Sequence, residues 1–260
     1  DMGKIIGLYL MPHPPIIIPE IGRGQEKKIQ NTIDALKKCG RDISQKAPET
    51  IILITPHGPA FRDAVAIMAE ASLKGDFARF GAKSVSLSFE NNLPLVESIT
   101  ACAQDKSIPC IEINRSTALT YNIETSLDWG ALVPLYFISK FYKKFKLVHI
   151  TYSFFTYDML YQFGELIQNS VESQSGDALV IASGDLSHRL TEDGPYGFNP
   201  MGPKLDKTIL SMLKNCDVEG LMNMDPHMIE EGGECALRSL IIGLGTLSGK
   251  KIRSDILSYE

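Results

Sequence analysis

The sequence predicts an α/β fold: a single large α/β domain over residues 1–260, with a central, mostly parallel sheet flanked by helices. Three observations point to it. Short β-branched runs alternate with longer segments of helical period. The runs IILIT and ALVIAS are near-continuously apolar, as strands covered on both faces are. The chain has 260 residues, 44% of them hydrophobic and 22% charged, which is enough to bury a substantial core without any biased or low-complexity segment.

Strands are expected at KIIGLYLM, TIILIT, AVAIMAE, AKSVSLSF, IPCIEI, KLVHIT, ALVIAS and the terminal IRSDILSY, where β-branched and aromatic residues cluster between turn formers. Helices are expected over residues 25–46, 92–105, 126–143, 157–174, 203–213 and 234–247, where apolar residues recur at helical spacing. No internal repeat appears. The Pro/Gly-rich DGPYGFNPMGP at 193–203 is too short for an interdomain linker and reads as an ordered loop over one edge of a site. No G-x-G-x-x-G follows the first strand and no G-x-x-x-x-G-K-[ST] occurs, so a phosphate-cradling loop is not expected.

The formal charge of −5 and the lack of a Lys/Arg block argue against nucleic acid or an anionic membrane as partner, and KFYKKFK at 140–146 reads as a solvated helix end with aromatic anchors. Cys39, Cys102, Cys110, Cys216 and Cys235 are scattered, odd in number and without a C-x-x-C pair, which suits reduced thiols and a cytoplasmic location. No apolar run reaches the roughly 18 to 20 residues of a membrane span, and the N-terminal run lacks the pattern of a cleaved signal. Asp1 before Met2 reads as a tag remnant. The closing SDILSYE stops inside a strand-like pattern, so the natural polypeptide is expected to continue.

The chemistry concentrates where strands end. Three of the five histidines follow strands: His13 in MPHPP, His57 in TPHGP and His188 in SGDLSHRL. The prolines before His13 and His57 fix the backbone and remove a donor, which suits rigidly placed metal ligands. Taken singly, each motif reads first as a turn in which the histidine is incidental, and it is the repetition that favours a metal pair. If the two imidazoles hold a metal, a carboxylate or thiolate must complete the set. Glu234 in EEGGECALRSL is the leading candidate, because Gly232-Gly233 permits an unusual backbone approach, although a glutamate at a helix start can equally serve the helix dipole. Two histidines and one carboxylate suit non-haem Fe(II), and Zn(II) can occupy a similar set.

His188 is then free to act as acid and base, since an imidazole exchanges protons near neutral pH, and Asp185 three residues earlier could orient it or cap the turn. A serine nucleophile at Ser183 or Ser187 lacks the G-x-S-x-G elbow, and a thiol nucleophile at Cys235 has no feature that would activate it. His149 in KLVHIT reads as a strand residue satisfied by packing and one hydrogen bond. His227 reads as an exposed helix-start residue, with a fourth-ligand role as the alternative.

With MPHPP, TPHGP, SGDLSHRL and GGECALRSL in this order, the chain resembles the class III extradiol ring-cleavage dioxygenases of the LigB type, and most closely their AmmeMemoRadiSam-system and Memo-like relatives. The resemblance covers the chain from His13 to ILSYE. It implies an α/β fold with a metal at one end of the sheet, His13, His57 and Glu234 as iron ligands, and His188 as the catalytic acid/base. It further implies Fe(II) as cofactor, with Zn(II) as the alternative, and a catechol-type aromatic diol and O2 as reactants. As partners it leaves room for a homo-oligomer or an AMMECR-type domain after ILSYE. One departure stands out: where such dioxygenases have Asp-His-Gly, this sequence has Asp128-Trp129-Gly130, which takes away a proton carrier beside the substrate and adds bulk. The alternatives are a Memo-like metal-binding or protein-interaction module without ring cleavage, and a Zn-dependent hydrolase.

Overall fold

Strand β1 (Ile5–Met11) opens the sheet and helix α1 (Pro19–Gly22) follows its loop. A short helical turn over Gln25–Ile29 leads into α2 (Gln30–Lys46), so the helix expected from residue 25 is a turn and then a helix. Next come β2 (Thr50–Thr55), β3 (Val65–Met68), and the hairpin of β4 (Ser72–Phe77) and β5 (Ala82–Glu90). The middle of the chain supplies α3 (Leu93–Asp105), β6 (Cys110–Ile113), α4 (Arg115–Tyr121), α5 (Trp129–Ser139) and β7 (Lys146–Thr151). It closes with α6 (Tyr157–Glu172), β8 (Ala178–Ser183), α7 (Met201–Lys214), α8 (Val218–Met222), α9 (Pro226–Gly232) and α10 (Leu237–Gly245). This computed structural model describes residues 1–260.

Six strands form one sheet in the order β1-β8-β2-β7-β3-β6, parallel at every pairing except β3 against β7. The expected mostly parallel sheet is therefore present, flanked by helices on both faces. Along β2 every side chain is buried, with Ile51 and Leu53 packing into one layer and Ile52 and Ile54 into the other. The first layer is closed by Ile33, Leu36 and Ile43 of α2 and Leu132 and Leu135 of α5, the second by Ile99 of α3, Phe163 and Ile167 of α6, and Ile242 of α10. Burial on both faces is why β2 and β8 show no polar alternation in sequence.

Two expectations need correction. The terminal IRSDILSY is not a strand; it runs over the surface without ladder pairing and is tied down by side chains. Ser258 Oγ lies 2.9 Å from Thr32 Oγ1, Glu260 accepts from the Thr32 amide at 3.1 Å, and the Tyr259 hydroxyl donates to Asp206 at 2.6 Å. The helix expected at 126–143 ends at Ser139, and the segment after it is anchored by the Tyr142 hydroxyl on Pro48 O and by buried Phe145. No helix is long and apolar enough to cross a membrane.

The topology fixes where chemistry can gather. β8 lies between β1 and β2, with Met11 paired to Ser183 and Ile54 to Ala182. All three strands run the same way, so the loops bearing His13, Asp185–His188 and His57 leave the sheet side by side.

Candidate metal centre

His13 and His57 meet at this edge, their Nε2 atoms 3.0 Å apart and their rings edge to face. His13 is only 1% exposed. Its Nδ1 lies 2.8 Å from Ser183 Oγ, whose own proton is donated to Gly130 O at 2.5 Å. With that proton committed, Ser183 must accept from His13, so Nδ1 carries the hydrogen and Nε2 presents a lone pair. Burial lowers the pKa of His13, and burial together with the neighbouring His13 brings His57 down to about 4. Two neutral imidazoles thus face each other across a single proton, and a divalent cation is the natural replacement for that proton. The donor set fits a metal such as Fe(II) or Zn(II).

The local sequence explains the aim. A Cβ on Gly58 would lie 2.2 Å from Thr151 Oγ1 and 2.7 Å from His149 Cε1, so only glycine lets the loop after His57 press onto β7. A Cβ on Gly130 would lie 2.3 Å from Thr55 Oγ1 and 3.5 Å from His57 Cδ2, which is how α5 comes to pack against the same loop.

The third donor brought to the pair is the Cys235 thiol, with Sγ 3.7 Å from His13 Nε2. Glu234, the carboxylate expected there, is not brought to the histidines: its Oε2 accepts from the Leu237 amide at 2.6 Å, closing the first turn of α10. The helix begins at Leu237 rather than at Glu234, so the carboxylate serves the orphan amides of the helix start, and burial raises its pKa. The turn between α9 and α10, with Gly233 at φ 63°, orients the pair of side chains.

His188 and Asp185 flank the same thiol. His188 Nε2 is 3.8 Å from Cys235 Sγ and 4.0 Å from Asp185 Oδ2, while Asp185 Oδ1 accepts from the His13 amide at 3.0 Å. Asp185 therefore ties the His13 loop to the His188 loop. Tyr196 of the 193–203 loop stacks on His188 with ring centres 5.6 Å apart, so that loop covers one edge of the site. Trp129 stacks on His57 at 4.2 Å and forms the opposite wall.

Nucleophile readings do not fit. Ser183 and Ser187 donate their protons to Gly130 O and Gly232 O. Burial pushes the Cys235 thiol up to about 12, and Cys235 and Asp185 approach the same nitrogen of His188, whereas a triad needs one partner on each ring nitrogen. His227 is exposed in the first turn of α9, away from the donors.

Sequence reasoning missed a buried acid beside the centre. Asp128 accepts from Thr55 Oγ1 at 2.6 Å and contacts His149 Nε2 at 2.8 Å. Burial works to raise its pKa, but the bonds from His149 and Thr55 win and hold it below the ordinary carboxylate range. Asp128 sits at the N-cap position of α5 without capping it, because its oxygens are spent on β2 and β7. His149 has the expected hydrogen bond at Nε2, but its Nδ1 is buried without a partner.

The chain matches over residues 7–260 the family described as the catalytic LigB subunit of aromatic ring-opening dioxygenase. It belongs to this family. A relative from Clostridium acetobutylicum, Protein CA_C1420, is 47% identical over 98% of the chain, and the chain spans only 54% of that relative's length. The 3,4-dihydroxyphenylacetate 2,3-dioxygenase of Escherichia coli is 23% identical over the whole chain and 96% of its own length. In fold, the LigB-family chain resembles the crystal structure of an uncharacterized Escherichia coli K12 protein, with a TM-score of 0.56, 14% identity and 83% of each chain covered.

Proposed function

We propose that this LigB-family chain is a non-haem Fe(II)-dependent dioxygenase of the extradiol type, acting on a catechol-type aromatic diol with O2. The observation that carries the reading is the pair of neutral imidazoles, of buried His13 and half-buried His57, facing each other at 3.0 Å. The whole-length likeness to a ring-cleaving relative supports the substrate class. His13, His57 and Cys235 would hold the metal. Bound there, Fe(II) would lower the pKa of a diol hydroxyl and supply electron density to O2.

The remaining work falls to the chain. Ser183 fixes the tautomer and ring plane of His13. His188 Nε2, at the solvent-reached side of the donors, takes the proton released by the diol and returns it to the opened product. Asp185, whose Oδ2 lies 4.0 Å from that nitrogen and whose Oδ1 accepts from the His13 amide, holds the His188 loop against the His13 loop. Trp129 and Tyr196 bound the space on two sides, stacked on His57 and His188.

One observation favours a second reading, a metal-binding module of the Memo-like kind without ring cleavage. The third donor near both imidazoles is a thiol, the Glu234 carboxylate is spent on the start of α10, and the indole of Trp129 stands where ring-cleaving relatives would carry a further imidazole. The test is anaerobic Fe(II) loading followed by O2 uptake with a panel of catechols. The dioxygenase reading expects one O2 consumed per diol, lost in His188→Ala with the metal retained. Stoichiometric metal without O2 uptake on any diol would leave only the binding module.

A further inference from the structure

We propose that Trp129 is a positioning residue of this centre, acting through His57; the inference rests on the two-imidazole site and goes beyond the reaction assigned to it. The two imidazoles are held by different means. His13 is locked by a hydrogen bond from its Nδ1 to Ser183. His57 is anchored through its backbone, its amide donating to Thr55 Oγ1 at 3.2 Å, while its ring lies face on to Trp129, with centroids 4.2 Å apart and planes 23° from parallel.

The indole is itself held. Trp129 is the first residue of α5, a helix buried along its length from Gly130 to Ser139. Two side chains from the turn joining β4 to β5 pack on the indole: the guanidinium carbon of Arg79 at 5.1 Å from the ring centre, and Phe80 edge-on at 6.0 Å. Below it, Asp128 accepts from the same Thr55 hydroxyl that receives the His57 amide. Backbone and ring of His57 are therefore both referenced to the start of α5.

A hydrogen-bonding partner would fix the plane of a ligating imidazole and its tautomer together. An indole face fixes the plane alone. His57 Nε2 is held toward His13 Nε2 while the ring proton is free to move to the other nitrogen when a cation arrives. The residue that departs from the dioxygenase pattern then has a task at the metal, whatever substrate the site takes.

Trp129 is the only tryptophan, so its emission reports the contact directly. The experiment is titration of the metal-free protein with Co(II), reading tryptophan emission and the Co(II) ligand-field absorption together, for the wild type, Trp129→Phe and Trp129→Ala. In the wild type the emission should be quenched along the same isotherm as the absorption grows. Trp129→Ala should bind Co(II) about 10- to 100-fold more weakly, the usual effect of losing an orienting partner, and Trp129→Phe should recover most of the loss.

Folded Trp129→Ala binding Co(II) as tightly as the wild type would overturn the role while leaving the metal centre standing. So would Co(II) binding that leaves the emission unchanged, a result that needs no variant to fold. A wild-type protein that takes up no Co(II) would overturn the centre itself, and this role with it.

Discussion

Ser183 holds Nδ1 of His13 at 2.8 Å while giving its own proton to the carbonyl of Gly130. Strand β8 thereby sets the tautomer of a histidine carried by the loop after β1. Replacing Ser183 by Ala should leave both imidazoles in place yet weaken Co(II) binding by roughly 10- to 100-fold, because His13 is then free to turn and to carry its proton on the wrong nitrogen. Isothermal titration of the two proteins with Co(II) checks this.

Cys235 and Glu234 are neighbours with different tasks. Cys235→Ser should remove most metal affinity, since its Sγ is the atom brought beside His13. Glu234→Ala should leave the affinity within a few-fold and instead lower stability by about 1 kcal/mol, the usual cost of removing a side-chain acceptor from a helix start. Parallel metal titrations and urea unfolding separate the two. The reverse ranking would return Glu234 to the donor set.

The pH dependence has a definite sign. Burial, with His13 alongside, holds His57 at about 4 against the 6.5 of a free imidazole. Between those values the unfolded chain binds a proton that the folded site refuses, so stability of the metal-free protein falls as pH drops from 6.5 toward 4. Above 6.5 neither state binds the proton and the contribution no longer changes. His57→Asn should flatten this part of the curve, as measured by the denaturation midpoint across that range.

Much of this was legible in the chain and some was not, for physical reasons. The histidines announced themselves because proline and glycine around His13 and His57 mark rigid strand ends, and β2 and β8 are unbroken apolar runs. The hairpin strand β4, SLKGDF, escaped notice because Lys74, Gly75 and Asp76 at its centre are poor strand formers and only Leu73 and Phe77 are apolar. The terminal IRSDILSY has the spacing of a strand, but Ser258, Tyr259 and the following Glu260 bond to Thr32 of α2 and Asp206 of α7 in place of a ladder. Whether Glu234 or Cys235 faces the histidines depends on where α10 begins, a shift of three residues that periodicity does not resolve. The Asp128–His149 contact joins residues on a helix start and a strand interior, and no local pattern records it.

The C-terminal segment reaches the site through Asp206. This carboxylate is 1% exposed, accepts from the Tyr259 hydroxyl at 2.6 Å and from the Ser187 amide at 2.8 Å, and so stands between the chain's end and the loop of His188. Tyr259→Phe should lower stability by about 1.5 to 3 kcal/mol, the range for a hydrogen bond to a charged group, at unchanged metal affinity. Denaturant unfolding with and without Co(II) reads both quantities.

The central claim is that His13 and His57 form a metal centre. The most direct measurement is the metal stoichiometry of the wild type and of a His13→Ala/His57→Ala double variant, after anaerobic loading with Fe(II) and removal of excess. The expected result is one Fe(II) per wild-type chain and none in the folded double variant. Equal iron in the two proteins would contradict the account.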